Sequence, residues 1–527
     1  MAKPIGVKRR PLALALALAA LIPIPLTAAA VDVPEVQVAV NAAAPLGRAV
    51  DQDLIGTNQA HVSAGSIVSA LGPDWARTDT SFEGTYDGSP VYDCATGAWN
   101  SAILAHNLAA DRAEGGTPEV IVDYSPTCLT TSVPPGTNPA YAPPDKDGWV
   151  PWDALVAKMA TYAIAQGVRV FEVWNEPDWV FFDGNLPAYL QLYLHTARTL
   201  EAAAAAAGVA IEVGGPATVT ADPVWIGTLG RFAVANDLPL DFVSWHDYAN
   251  DPEPGPFYST PLGEMPPPPP SGVPPYWYDP ALTVRQYAIE AEAVRQALEG
   301  TPSLHPQLVV DEWNLDAGGD PRMSEPYEAG FVAAVLQTAQ SAGIDRMCFY
   351  NVLDPEGATP YDSFGMVAQA SSGSVSPRPA YWAFYFWHDL AGSQVAADVA
   401  GNLAPGRVRA TASVPTGAEV PAGRWRGRAR EVSVLVSNYA GFDPSGVNGT
   451  SDPNLYDHVV ALTLSGLAPG VYRLELSTVD AAYGGDEPVV ASEALRVPAS
   501  GRAQLDLSAP GYSAVLVQAV RQEPGGG

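Results

Sequence analysis

The sequence has 527 residues, and its 57 acidic against 27 basic side chains give a formal charge of −30. An acidic excess of this size repels phosphate backbones and anionic lipids, so it argues against a nucleic-acid or membrane partner. The chain is also too long for one ordinary core, so we expect a large domain and at least one smaller domain.

Residues 1–30 have the pattern of a secretory signal peptide. Basic residues precede an apolar run, and the three alanines at 28–30 suit a cleavage site. The adjacent arginines at positions 9 and 10 also allow a twin-arginine signal. No later apolar stretch has the length needed to span a bilayer. We therefore expect export to an extracellular or periplasmic space.

The segment 31–48 follows, and the alternation of apolar and polar residues at 36–40 predicts a strand in it. Eight apolar runs then alternate with helical patterns. Short, continuously apolar strands between helices indicate a parallel sheet, and eight units predict a closed (β/α)8 barrel, a TIM barrel, over residues 49–392. A doubly wound open sheet is the alternative. The predicted strands lie at 54–58, 75–79, 120–124, 171–177, 209–214, 242–246, 308–312 and 346–350.

Two connections of this barrel are long. The loop after the sixth strand, 251–275, contains five consecutive prolines and should be stiff and extended. It is either a surface insertion or a wall over the catalytic face, because it leaves the barrel at that end. The loop after the third strand lies on the same face.

Residues 393–527 change to short alternating strands separated by Gly and Pro turns, which predicts a C-terminal antiparallel β-sandwich. The segment 31–48 is expected to join that sandwich. The predicted strands lie at 408–414, 431–438, 458–464, 471–478, 494–497 and 514–520.

The three cysteines divide into two kinds. Cys94 and Cys128 lie in predicted loops and could pair in an oxidising compartment, whereas Cys348 lies in an apolar strand and is expected to be a buried thiol. The cysteine spacing does not fit a zinc site, and no glycine-rich phosphate loop is present. Neither a metal nor a cofactor is therefore expected.

Two glutamates occupy the chemically important ends of predicted strands. Glu176 ends the fourth strand before Pro177, and Glu312 ends the seventh. Carboxyl ends of barrel strands carry the chemistry of this fold, and a pair of carboxylates is what glycoside hydrolysis requires. Asp311 is the rival for the second position. The two-residue period of a strand predicts that its side chain points to the other face.

Four stretches carry a resemblance to a known family: 171–177, which ends in Trp-Asn-Glu-Pro; 241–248, which contains Ser-x-His-x-Tyr; 310–314, which contains Glu-Trp; and 363–366 continuing to 379–382. They resemble glycoside hydrolase family 39, a family of retaining (β/α)8 glycosidases that includes β-xylosidases and α-L-iduronidases. The resemblance covers roughly residues 50–390 and extends to the sandwich.

The resemblance implies that Glu176 is the general acid/base and Glu312 the nucleophile. It implies that Asn175 holds the 2-hydroxyl of the sugar, and that His246 contacts the reacting sugar and its nucleophile. Tyr248 is placed to hydrogen-bond that nucleophile, with a packing role as the alternative.

Arg77 and Trp313 each have two interpretations, and Tyr350 departs from the family pattern. Arg77 could orient Glu312, or form a salt bridge with Asp79. Trp313 is either a wall that stacks on the sugar or part of the core. Tyr350 stands where relatives commonly have a tryptophan platform. Glu172 is interpreted as a buried network residue.

The leading hypothesis is a secreted retaining glycoside hydrolase acting on an oligo- or polysaccharide, with a neutral β-glycoside such as a β-xyloside as its substrate. An inactive barrel that only binds carbohydrate is the alternative from another class. Other retaining activities, on an α-L-iduronide, an arabinoside or internally on a polysaccharide, are further alternatives, because loops rather than barrel strands determine the sugar.

Overall fold

The computed structural model defines a barrel and a large sheet. The predicted signal peptide and the proline-rich loop 251–275 lie outside the described residues. Those residues are 35–80, 82–248, 280–316, 321–354, 357, 364–401, 408–416, 427–439, 458–480, 482–483 and 487–523.

The secondary structure alternates strands and helices up to α8 and consists of strands afterwards. The strands are β1 (Glu35–Ala49), β2 (Gly56–Asn58), β3 (Trp75–Asp79), β4 (Thr85–Tyr86), β5 (Ser89–Pro90), β6 (Tyr92–Asp93), β7 (Ala98–Trp99), β8 (Thr117–Val122), β9 (Val170–Val173), β10 (Glu212–Thr218), β11 (Phe242–Tyr248), β12 (Gln307–Asn314), β13 (Arg346–Phe349), β14 (Leu353–Asp354), β15 (Val367–Gln369), β16 (Val375–Pro377), β17 (Ser393–Ala400), β18 (Val408–Val414), β19 (Glu431–Asn438), β20 (His458–Ser465), β21 (Gly470–Val479), β22 (Val489–Val497), β23 (Ala503–Ala509) and β24 (Ser513–Arg521). The helices are α1 (Gly65–Val68), α2 (Ala102–Glu114), α3 (Val150–Ala165), α4 (Leu186–Ala207), α5 (Pro223–Asn236), α6 (Pro280–Leu298), α7 (Pro326–Ala342) and α8 (Pro379–His388). Single turns of 3₁₀ helix lie at Val62–Ala64, Ser69–Leu71, Thr127–Leu129, Pro139–Tyr141, Lys146–Trp149 and Pro321–Ser324.

Eight of the described strands close a parallel barrel in the order β10-β11-β12-β13-β2-β3-β8-β9. Each strand pairs with its successor in the chain, and Phe349 of β13 pairs with Thr57 of β2 to close the ring. This confirms the predicted (β/α)8 barrel. The carboxyl ends of all eight strands therefore meet at one face, which is the face that the candidate site occupies.

The fifth barrel strand differs from its prediction. It was expected at 209–214, which ends on the first residue of the Gly-Gly-Pro segment 214–216. Instead β10 continues to Thr218 through this segment. A side chain at position 214 would meet the Phe242 ring at 2.5 Å, so the glycine permits a close approach to β11 rather than a turn.

Within the described residues, the C-terminal part forms one nine-stranded sheet in the order β22-β21-β24-β19-β18-β17-β1-β20-β23. The sheet curls so that β23 contacts β19, β22 and β24, and it encloses a core of mostly Val, Leu and Ala side chains. It is antiparallel except at β1, which runs antiparallel to β17 but parallel to β20. The sequence patterns predicted neither β17 nor β23.

Helix α7 packs the barrel against the sheet, and it is almost completely buried. Gln337 donates to the carbonyl of Leu435 at 3.0 Å and accepts from the hydroxyl of Ser437 at 2.6 Å. The rings of Tyr327 and Tyr512 lie 4.6 Å apart. No helix in the described part of the chain is long and apolar enough to cross a bilayer.

Candidate active site

The fourth barrel strand ends at Val173, and the next three residues form a tight turn that presents Glu176. Trp174 has φ 73° and Glu176 has φ 45°, a left-handed conformation that is uncommon for residues other than glycine. The amide of Glu176 donates to the carbonyl of Ala217 at 2.9 Å, and the indole of Trp174 donates to the carbonyl of Phe181 at 2.9 Å. These bonds hold the strained turn in one conformation.

His246 lies beside the Glu176 carboxylate. Its Nδ1 is 2.8 Å from Oε1 of Glu176 and 3.8 Å from Oε2 of Glu312. Burial lowers the pKa of His246 to about 4, although the charge of Glu312 acts in the opposite direction. The imidazole is therefore neutral at pH 7.

Both oxygens of Glu312 accept hydrogen bonds. The hydroxyl of Tyr248 donates to Oε1 at 2.5 Å, and Nη1 of Arg77 donates to Oε2 at 3.2 Å. Burial and the charge of Glu312 raise the pKa of Tyr248 well above its usual value, so the phenol keeps the proton that it donates. These two donors hold the Glu312 carboxylate in one orientation.

Arg77 connects Glu312 to the fourth strand. Its Nε donates to Glu172 at 2.8 Å and its Nη2 donates to Oδ1 of Asn175 at 2.9 Å. Burial lowers its pKa, but nearby carboxylates, Glu172 foremost, raise it well above its usual value. Arg77 therefore stays cationic, and its geometry favours an orienting role over the Asp79 alternative.

Asp311 points into the barrel, and the expectation that it faces away from Glu312 is wrong. Val310 pairs with Trp245 and Glu312 pairs with His246, so Asp311 is the extra residue of a bulge. Its Oδ2 lies 3.4 Å from Nε of Arg77. What separates the two acids is depth, because the side chain of Asp311 is 0% exposed and that of Glu312 is 15% exposed.

The two buried acids Asp311 and Glu172 differ in protonation state. Burial and the neighbouring Glu172 raise the pKa of Asp311 well above its usual value. Burial would also raise the pKa of Glu172, but the charge of Arg77 and hydrogen bonds from Asp311 and Ser244 hold it below its usual value. Asp311 is thus the neutral acid and Glu172 the buried carboxylate.

Asn175 and Tyr124 line the mouth together. The amide nitrogen of Asn175 donates to the hydroxyl of Tyr124 at 2.9 Å. With its oxygen bonded to Arg77, Asn175 is fixed at both ends of its amide. Tyr124 was missed as a site residue, although it stands at the predicted end of the third strand, which is the signal that located Glu176 and Glu312.

The two remaining aromatic candidates, Tyr350 and Trp313, differ in their surroundings. The half-buried Tyr350 directly follows β13, and its amide donates to the carbonyl of Trp313, the neighbour of Glu312, at 3.0 Å. Burial and the charge of Glu312 raise the pKa of its hydroxyl to about 12. Trp313 is fully buried, and this placement favours the core interpretation over a sugar-stacking wall. Its ring packs against Tyr287, Phe331, Phe349 and Phe384.

Two clusters of described residues are close enough to hold a metal ion, one formed by Glu176, His246 and Glu312 and the other by Glu119, Glu172 and Asp311. Arg77 forms ion pairs with Glu172 and Glu312, and its Nε lies 3.4 Å from Oδ2 of Asp311. Its guanidinium therefore already supplies positive charge to both clusters. Elsewhere, Cys94 and Cys128 form a disulfide, and Cys348 is a buried free thiol.

The separation of the two glutamates is short. One carboxylate oxygen of Glu176, one of Glu312 and a nitrogen of His246 all lie within 4.8 Å of one another. The Glu176 side chain is 7% exposed and that of Glu312 is 15% exposed, so both can be reached from the barrel mouth.

Comparison with known sequences gives one family. The family model described as glycosyl hydrolases family 39 matches residues 118–426. Two β-xylosidases, from Caldicellulosiruptor saccharolyticus and Geobacillus stearothermophilus, are each 26% identical over 46% and 47% of this chain, respectively, and over 47% of their own length. The chain thus spans about half the length of the curated relatives it matches.

Comparison with solved structures supports the same fold. A monomeric β-xylosidase from Caulobacter crescentus CB15 superposes with a TM-score of 0.66 at 18% identity, covering 92% of this chain and 99% of that one. A family 39 enzyme from Xanthomonas axonopodis pv. citri has a TM-score of 0.65 at 18% identity, covering 95% and 100%. A bacterial orthologue of human α-L-iduronidase has a TM-score of 0.64 at 14% identity, covering 93% and 84%.

Proposed function

Because this chain belongs to glycosyl hydrolases family 39, we propose that it cleaves glycosidic bonds with retention of configuration, with Glu312 as nucleophile and Glu176 as general acid/base. The observation that carries the proposal is the approach of their carboxylate oxygens to within 4.8 Å. Retaining glycosidases hold these groups about 5–5.5 Å apart, whereas inverting enzymes leave roughly 6.5–9.5 Å for a water molecule.

The first step is attack by Glu312 on the anomeric carbon. The bond from that carbon to the leaving oxygen breaks as a glycosyl ester forms, and Glu176 donates its proton to the leaving oxygen. The negative charge of Glu312 favours a proton on Glu176 before the reaction, because like charges at this distance repel. Tyr248 and Arg77 keep the nucleophile aimed throughout.

In the second step water attacks the same carbon, Glu176 takes its proton, and Glu312 leaves as a carboxylate. Asn175 is placed to bind the 2-hydroxyl, an interaction that strengthens as positive charge develops on the sugar. Its amide is already held by Arg77 and Tyr124, so little reorganisation is needed in the transition state.

For the substrate we propose a neutral β-glycoside, with a β-xyloside first. The charge of Arg77 is balanced by carboxylates and His246 is neutral at pH 7, so this site offers little attraction to a uronate. The stretch 249–279, which follows the sixth barrel strand, contains no Lys, Arg or His in its sequence. The matched relatives named β-xylosidases agree with this choice.

The test is a panel of nitrophenyl glycosides and polysaccharides, assayed with the wild type and Glu312→Ala. We expect turnover of a β-xyloside by the wild type, loss of that turnover in Glu312→Ala, and partial rescue of the variant by azide as an external nucleophile. The exposed Glu493→Ala on β22 is the matched control and should be fully active. Sugar binding without any turnover would favour a carbohydrate-binding protein.

The stereochemistry has its own test. NMR observation of the first product should show the anomer of the substrate, followed by slow mutarotation. An inverted anomer as first product would contradict the double displacement.

We also propose export, with residues 1–30 removed as a signal peptide. The disulfide between Cys94 and Cys128 supports this, because disulfides persist in oxidising compartments. Sequencing the N-terminus of the mature protein from the culture medium or periplasm tests it. An intact N-terminus on protein confined to the cytosol would contradict the proposal.

A further inference from the structure

An exposed aromatic surface continues from the turn that carries Glu176. The amide of Trp179 donates to the carbonyl of Glu176 at 3.2 Å, so its position is tied to that of the acid/base. The Trp179 residue is 38% exposed and the adjacent Val180 is 56% exposed. A large apolar group left in solvent beside a catalytic carboxylate is typical of a binding surface rather than of a core.

The rings behind Trp179 form a connected row, which we call the aromatic ledge: Trp179, Phe181, Tyr141 and Tyr124. Phe181 contacts Trp179 edge-on at 5.8 Å and Tyr141 edge-on at 5.2 Å, and it stacks on Tyr124 at 6.2 Å. Tyr124 in turn bonds Asn175, so the ledge runs without interruption to the site.

The ledge is held by backbone bonds as well as by ring contacts. The carbonyl of Phe181 accepts from the indole of Trp174, and the carbonyl of Tyr141 accepts from the amide of Asp183 at 2.8 Å. Its surface is therefore ordered before a ligand arrives, which lowers the entropic cost of binding.

We propose that the aromatic ledge is the subsite for the leaving-group half of the substrate, and that it takes a neutral pyranose ring. This rests on the proposed function, because a general acid must stand beside the oxygen that departs. The leaving group therefore lies on the Glu176 side of the cleaved bond, where the ledge begins. The face of an aromatic ring suits the apolar face of a pyranose.

The proposal predicts that replacing Trp179 lowers kcat/KM more when the leaving group is a sugar than when it is a small ion. Xylobiose and β-xylosyl fluoride form the same xylosyl ester with Glu312, but the leaving group is xylose in the first and fluoride in the second. In Trp179→Ala, kcat/KM for xylobiose should fall about tenfold further than for the fluoride, since an aromatic contact contributes up to about that factor. Trp179→Phe keeps a ring and should retain most of the preference for xylobiose.

The control is Val489→Ala, which shortens an exposed apolar side chain on β22 and should leave kcat/KM unchanged for both substrates. Equal losses on xylobiose and the fluoride in Trp179→Ala would overturn the subsite. A selective loss of xylobiose turnover would support it.

A binding titration separates this proposal from the activity. Xylobiose and xylose are titrated calorimetrically into Glu312→Ala and into Glu312→Ala/Trp179→Ala. A tighter affinity for xylobiose than for xylose that disappears with Trp179 supports the ledge, even if the wild type cleaves neither compound. Xylobiose affinities that are the same in both variants overturn it, whatever the catalytic assays show.

Discussion

Asp311 and Glu312 are adjacent in sequence, yet both side chains point into the barrel, because Asp311 is the extra residue of the bulge between β11 and β12. Two acids are thus stacked at one strand end, the buried one below the accessible one. Bulges often re-aim side chains near active sites. Here the bulge lets Arg77 contact both acids, at 3.4 Å for Asp311 and 3.2 Å for Glu312.

This stacking predicts unequal effects of replacing each acid by its amide. Asp311→Asn should reduce kcat by no more than about fivefold, because the amide replaces a neutral acid and can still donate to Glu172. Glu312→Gln should reduce it by at least about 10⁴-fold, as expected for a lost nucleophile. Trapping with a 2-deoxy-2-fluoro glycoside and peptide mapping checks the assignment. A label on Asp311 would contradict it.

Tyr248→Phe removes one of the two donors to Glu312. Hydrogen bonds to charged groups contribute about 1.5–3 kcal/mol, so kcat/KM should fall roughly ten- to a hundredfold. Tyr193→Phe is the matched control, since its hydroxyl bonds the carbonyl of Pro239 away from the carboxylates. Steady-state kinetics of both variants on one aryl glycoside make the comparison. Equal activities of the two would show that Tyr248 only packs.

Arg77→Lys keeps the charge but loses the planar fork that reaches Glu172, Asn175 and Glu312 together. We expect kcat to fall about a hundredfold, because a lysine cannot orient the nucleophile and the amide at once. Arg77→Met leaves buried carboxylates unpaired and should destabilise the fold by about 3–5 kcal/mol. Kinetics and denaturant unfolding measure these effects. Wild-type kcat in Arg77→Lys would show that charge alone suffices.

Stability should fall as the pH rises from about 4 to 8. Burial raises the pKa of Asp111 and of Asp178 to about 8, so in this window the folded protein holds protons that the unfolded chain has released. Each such group lowers the free energy of unfolding by up to about 1.4 kcal/mol per pH unit. Their stabilising contribution is complete below the unfolded pKa and is lost as the pH passes the folded one.

Asp111→Asn tests this pH dependence. The change removes one titrating group on α2 and should make the dependence of unfolding on pH shallower between pH 4 and 8. Denaturant unfolding at several pH values gives the slope. Asp87→Asn, in an exposed turn, is the control and should leave the slope as it is in the wild type. An unchanged slope in Asp111→Asn would contradict the prediction.

The strand ends were predictable because they follow from local chemistry. An apolar run that meets Asn-Glu-Pro identified the fourth barrel strand, and the same reasoning located Glu312. Asp311 could not be placed correctly, because a bulge depends on how β12 pairs with its neighbour and not on its own residues. The continuation of β10 beyond Gly214 likewise depends on pairing with β11, where Gly215 and Pro216 pair with Val243 and Ser244.

Two strands of the sheet were not predicted, and only one of them had a recognisable sequence pattern. Strand β23 alternates Leu505 and Leu507 with polar residues, so its pattern carried a signal. Strand β17 is rich in alanine and carries a weak one; its place follows from pairing with β1 and β18. The contacts of Arg77 with Glu172 and Asn175 join distant parts of the chain, so the sequence pattern could not predict them either.

The position of β1 has a consequence for synthesis. Among the described strands it comes first in the chain, but both of its neighbours, β17 and β20, lie beyond the whole barrel. At about 5–20 residues per second, β1 waits on the order of tens of seconds before its neighbours exist. The barrel can therefore form on the ribosome while the sheet cannot, and β1 must meet β17 and β20 before the core of the sheet is complete.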